Sequence, residues 1–182
     1  EAAPDASLAV NALTNQTTEE NVKSSDFLLM KATVDPEQDL TADGKLKISL
    51  SHAMSKLLIK ITVNGTTDAA MNMSINGAVV NGICDLSATV PIVVPAPDAV
   101  VATVAPYKGT ESCECILPPQ KIAEGFSVNF SYDGKLYIWT AKEAIELEKG
   151  VEHTLTLNVN TTVRLAAKMA RNWATGQLID RN

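Results

Sequence analysis

Two aromatic-rich runs, Phe126-Ser-Val-Asn-Phe-Ser-Tyr132 and Leu136-Tyr-Ile-Trp139, stand on either side of Asp133-Gly134 and constrain the fold more than any other part of the chain. A two-residue hairpin loop needs positive φ at its centre. Asp-Gly supplies it, and flanking runs rich in aromatic and β-branched residues read as the paired strands. Cys115-Ile-Leu-Pro-Pro-Gln120 leads into this hairpin as a further strand closed by prolines.

The rest of the chain repeats the same grammar. Leu46, Ile48, Leu50, His52 and Met54 share one face of an alternating run, after which the apolar phase moves to Leu57, Ile59, Ile61 and Val63. A one-residue phase change implies a bulge or kink, so the pattern predicts one long strand bent near Ala53 to Lys56, with His52 on its inward set. Asp26 to Val34 reads as a buried strand ending at Asp35-Pro36, and Val151 to Val159 as a half-exposed strand. Residues 1 to 25 read as a weak strand and loop, and Asn81-Gly82 as a turn. Val90 to Val104 contains Pro91, Pro95 and Pro97, which demote it to an edge strand or extended connection. Val163 to Trp173 fits period two and a helical period alike; the Asn- and β-branched-rich approach favours a strand. Nine or ten strands with almost no capped helix give an all-β sandwich. The polar stretch from Pro36 to Gly44 is the candidate domain boundary.

Chemistry-bearing motifs are sparse. The formal charge of −6 on 182 residues argues against a nucleic-acid partner, which requires a basic surface. There is no nucleophile elbow, zinc-protease helix, phosphate loop or calcium loop. His52 and His153 lie a hundred residues apart without paired motifs, and the acidic Asp35-Pro-Glu-Gln-Asp39 reads as a solvated loop. No catalytic, cofactor-binding or metal-ligating residue is therefore assigned, no cofactor is implied, and the chain is read as a non-enzyme. Of the three cysteines, Cys84, Cys113 and Cys115, at least one must stay free within a monomer. Cys113 and Cys115 share a strand face at a Cα spacing of roughly 6.5 to 7 Å, strained for a bridge. No run of apolar residues is long enough to span a membrane as a helix. A start without Met or signal sequence is expected of a processed or truncated product.

The ordered set Leu50-Ser-His-Ala-Met-Ser-Lys-Leu-Leu-Ile-Lys-Ile61, Leu117-Pro-Pro-Gln120, the hairpin bearing Tyr137 and Trp139, Leu147-Glu-Lys-Gly-Val-Glu-His-Thr-Leu-Thr-Leu157, and Trp173 with Gly176 resembles the fimbrillin family. These are subunits and anchor or tip proteins of type V fimbriae in Bacteroides-like bacteria. The resemblance implies a Greek-key β-sandwich fold of transthyretin-like, fimbrillin type, export as a lipoprotein, and assembly at the cell surface or outer membrane by β-strand exchange with other fimbrial subunits. It further implies that residues 1–42 are the remnant of an N-terminal β domain plus linker and residues 43–182 a C-terminal β-sandwich domain. A lipid anchor would lie outside this chain, and a host protein or glycan could be a further partner. After Trp173, Leu178 and Ile179 are the sole large apolar residues, too few for a long donor strand, so an anchor, tip or accessory role is expected. A surface glycan-binding module is the alternative. It would use an exposed ring, with Tyr137 and Trp139 taken to lie on opposite faces of their strand.

Overall fold

The computed structural model describes residues 6–31, 33, 35, 37–46, 48–64, 66–68, 72–132, 134–159 and 165–171. In chain order the first half comprises Ser7–Asn11 (β1), Glu19–Ser25 (α1), Leu28–Leu29 (β2), Ser51–His52 (β3), Ser55–Val63 (β4), Thr66–Asp68 (β5), Met73–Val79 (β6), Asn81–Asp85 (β7) and Val93–Pro95 (β8). There follow Val101–Val104 (β9), Tyr107–Lys108 (β10), Cys113–Leu117 (β11), Gln120–Ile122 (β12), Ser127–Tyr132 (β13), Lys135–Thr140 (β14), Ile145–Leu147 (β15), Glu152–Val159 (β16) and Leu165–Arg171 (β17). The all-β expectation holds, but the strands are shorter and more numerous than the nine or ten expected, because bulges and sheet changes interrupt the long alternating runs.

The largest sheet runs β10-β11-β4-β16-β17, with β5 also on β4; a second runs β14-β13-β6-β9 and a third β1-β7-β8. At the centre of the first, β4 and β16 lie parallel, from Glu152 opposite Lys56 to Val159 opposite Val63. Leu57, Ile59 and Ile61 of β4 and Leu155 and Leu157 of β16 point inward. They share one core with Ile75, Val104, Val128 and Phe130 of the second sheet and Val10 and Val93 of the third. On the outer face, Lys56 Nζ lies 2.8 Å from Glu114 and 3.6 Å from Glu152, linking three adjacent strands by charge.

The predicted hairpin is present: β13 pairs with β14 from Ser127 opposite Thr140 to Tyr132 opposite Lys135, leaving a two-residue loop. Gly134 sits there at φ 68°, while Asp133 lies outside the described residues. The phase change upstream is also real. Ala53, Met54 and Ser55 are all fully buried, where β3 ends and β4 begins in another sheet.

Several expectations need correction. Among the described residues of 46–50 there is no strand, and Leu46 makes an isolated bridge with Leu40. Ile48 and Leu50 are 61% and 57% exposed, and His52, expected inward, is exposed too. The run alternates, but it leads into β3, which among the described residues pairs with the short β2. Asn81-Gly82 is not a turn but the start of β7. A Cβ at Gly82 would meet the Val10 carbonyl and Val93 Cγ1 at 2.9 Å, so the glycine lets the strands on both sides come close. Within residues 1 to 25, Glu19–Ser25 is a capped helix. Thr18 accepts from the Asn21 amide, and Glu19 and Glu20 fill the first turn beside the positive helix end. Of the ambiguous C-terminal stretch, residues 165–171 are strand, paired with β16; Trp173 and Gly176 lie outside the described residues.

All three thiols are free and buried. Burial pushes the Cys113 thiol up to about 11 and that of Cys115 higher still, so neither is a nucleophile at neutral pH. Thiol titration without reductant is expected to find three groups in the unfolded chain and slow reaction in the folded one; fewer than three would contradict the free assignment. Replacing Gly134 with Val places a β-branched residue at positive φ and should lower stability by about 1 kcal/mol or more in urea unfolding. An unchanged midpoint would refute the turn geometry.

Candidate functional site at the sheet edges

A chain whose backbone is mostly sheet must close or leave open its edges, and each open edge is a row of unpaired donors and acceptors. Two gaps where an interior strand outruns its neighbour are closed by glutamine side chains. Gln16 is fully buried. Its Oε1 accepts from the Ile116 amide at 2.8 Å while its Nε2 donates to the Ile116 carbonyl at 2.8 Å, so the side-chain amide imitates a neighbouring strand where β10 has run out. The Gln16 backbone amide bonds Ala105, and the Ala105 amide bonds Thr14, so residues 14–16 also seal the end of β9. Gln120 does the same for Val79: Oε1 accepts from its amide and Nε2 donates to its carbonyl, both at 2.9 Å, with a further bond to Pro118. Gly77, at φ 99°, bulges β6 against β9 just before this point, one residue past the end of the β6–β13 ladder at Asn76. The Leu-Pro-Pro-Gln run thus has a physical role: the prolines turn the chain so that Gln120 meets the bulged strand.

β1 closes the third sheet differently. It pairs along its whole length with β7, from Ser7 opposite Asp85 to Asn11 opposite Asn81. Yet Val10 is its single buried residue, and Leu8, on the same inward set, stays 41% exposed. Backbone bonds hold β1 more than side-chain burial does. On the far side β8 is short and ends at Pro95, which supplies no ladder donor.

β14 is the edge of the second sheet. Tyr137 and Trp139 are two residues apart and therefore share a face, contrary to the opposite-face expectation. Both turn inward. Tyr137 stacks on Phe130 at 5.3 Å between centroids, and Trp139 meets Phe126 edge-on at 6.2 Å. The outer face instead carries Leu136 and Ile138, 70% and 59% exposed.

The other singled-out residues do not converge. His52 Nδ1 lies 2.6 Å from Asp26 Oδ2. His153 is buried in β16, where its Nε2 accepts from the Glu148 amide, and burial lowers its pKa to about 4 against a small upward pull from Glu146. Among the described residues no three His, Cys, Asp or Glu side chains are grouped to hold a metal ion, and no helix is long and apolar enough to cross a membrane. Sequence reading missed Gln16 because one polar residue in a polar stretch carries no periodic signal; its role depends on a strand a hundred positions away.

A fimbrillin-like family profile matches residues 1–172. Among solved structures, a candidate cell adhesion protein from Bacteroides uniformis is similar at TM-score 0.66 and 17% identity, over 94% of this chain and 68% of that one. One from Bacteroides ovatus is similar at 0.68 and 17%, over 96% of this chain and 63% of that one. At such identity these likenesses bear on the fold. No curated protein matches the chain significantly.

Replacing Gln16 or Gln120 with Leu keeps volume but strands the amide and carbonyl of Ile116 or Val79 without partners. Each substitution should cost about 2 kcal/mol or more in denaturant unfolding. A loss below roughly 0.5 kcal/mol would show that the edges do not need the side-chain amides.

Proposed function

The chain belongs to the fimbrillin-like family, and on that premise we propose that it is a structural or adhesive subunit of a bacterial surface fimbria that joins its neighbours by exchanging a β-strand. Its station is the anchor, tip or an accessory position. It is exported to the cell surface, where a lipid anchor would hold it at the outer membrane. Residues 1–42 then act as the remnant of an N-terminal β domain that lends β1 and α1 to the sandwich of residues 43–182.

The observation that carries this reading is β1. It is fully paired with β7 but anchored by one buried side chain, Val10. An incoming strand with larger apolar residues at the Leu8 and Val10 positions would make the same backbone bonds and bury more surface, so exchange runs downhill without a cofactor. Tyr137 and Trp139 turn inward onto Phe130 and Phe126, so these two rings lend the glycan-binding alternative no support.

Terminal-strand peptides copied from neighbouring fimbrial subunits should raise thermal stability. One binding only the folded state adds about 2.7 kcal/mol at a hundred times its dissociation constant. Val10→Asp, which loosens β1, should tighten that binding. No shift with any such strand in either protein would defeat strand exchange through this edge.

A further inference from the structure

Beyond the edges, the molecule holds one junction where several elements meet through a single turn. Glu148 to Val151 form it, closed by the Val151 amide on the Glu148 carbonyl, with Gly150 at φ 65°. The Gly150 amide donates to the Met54 carbonyl at 2.8 Å, and the Val151 carbonyl accepts from the Lys56 amide at 3.0 Å and from Ser55 Oγ at 3.4 Å. Lys149 Nζ reaches the Pro91 carbonyl. The turn therefore fastens the buried bend at Met54 and Ser55, and through it the arm of β2 and β3, whose Ala53 amide bonds Phe27. What holds the turn from beneath is the bond from the Glu148 amide to His153 Nε2, at 3.0 Å.

We propose that this turn is an acid-released latch: it is held shut by a bond that only the unprotonated His153 ring can accept, and uptake of one proton at Nε2 opens it and frees the bend and arm. The geometry leaves the protonated ring no place. Nε2–H would face the Glu148 N–H, donor against donor, and the side chain, 1% exposed, cannot reach water unless the turn moves.

The surrounding charges do not rescue the cation. Glu146 on β15 pulls the right way but is outweighed by burial. Lys149 in the turn is a cation, and Leu57, the β4 register partner of His153, is apolar. Further along that row on β11, the neighbouring thiol of Cys115 is held neutral. Glu152 lies on the other face of β16, with Lys56 and Glu114. On β3, His52 Nδ1 lies 2.6 Å from Asp26 Oδ2.

The sign follows from these states. The closed form has a lowered value, about 4, against 6.5 for a ring released to water, so closure is fully favoured above 6.5 and is lost as pH falls toward 4. The opening constant should rise about thirty-fold between pH 8 and pH 5. Amide hydrogen exchange on the whole chain, corrected for the intrinsic pH dependence, reads it directly. Protection at Glu148 and Gly150 should fall by that factor while Val128 in β13 holds. His153→Gln, whose carbonyl accepts the same bond and cannot titrate, should abolish the fall, and His52→Gln should leave it. An equal fall in wild type and His153→Gln, or a uniform fall that includes Val128, would overturn the latch. Should His153→Gln not fold, ring-carbon titration of the wild-type histidines decides: His153 titrating below pH 5 in step with the Gly150 amide supports the latch, and titration near 6.5 with that amide unmoved overturns it.

Discussion

Three consecutive buried residues, Ala53, Met54 and Ser55, are the constraint on which the rest depends. A strand with one wet face cannot bury three neighbours in a row, because successive side chains point to opposite sides. The chain has to leave one sheet and enter another at that point. It does so with its backbone satisfied by distant partners: Phe27 for Ala53, Gly150 for Met54 and Val151 for Lys56. From there β4 runs down the middle of the largest sheet, parallel to β16, and its inward face becomes the centre of the common core.

Sheets that change partners leave gaps in their ladders, and here side chains fill them. Gln16 and Gln120 each spend a primary amide on one backbone residue, matching its donor and its acceptor. Such closure is specific and leaves little room for another strand. β1 is the contrast, an added strand held by its backbone and one valine.

Much of this was legible in the sequence, and for local reasons. Asp133-Gly134 between aromatic runs announced the hairpin, and the phase change from Leu50 to Leu57 announced the bend, because both signals are carried by adjacent residues. Thr18-Glu19-Glu20 carried a helix start that a strand-dominated reading passed over. What could not be read was tertiary. The alternation of Leu46, Ile48 and Leu50 is the same whether the run faces core or solvent, and Asn81-Gly82 has turn composition although Gly82 serves close strand approach. The outward Leu136 and Ile138 and inward Tyr137 and Trp139 follow from strand alternation once the register is correctly counted.

The lightly held β1 is tested most directly by hydrogen exchange at neutral pH, comparing amides in the β1–β7 ladder with those of the β4–β16 pair. An exchangeable strand opens locally, so the Leu8 and Val10 region should exchange orders of magnitude faster than Ile59 and Leu155, and with little dependence on denaturant. Exchange of both groups at one rate, through global unfolding alone, would contradict a displaceable β1 and with it strand entry at that edge.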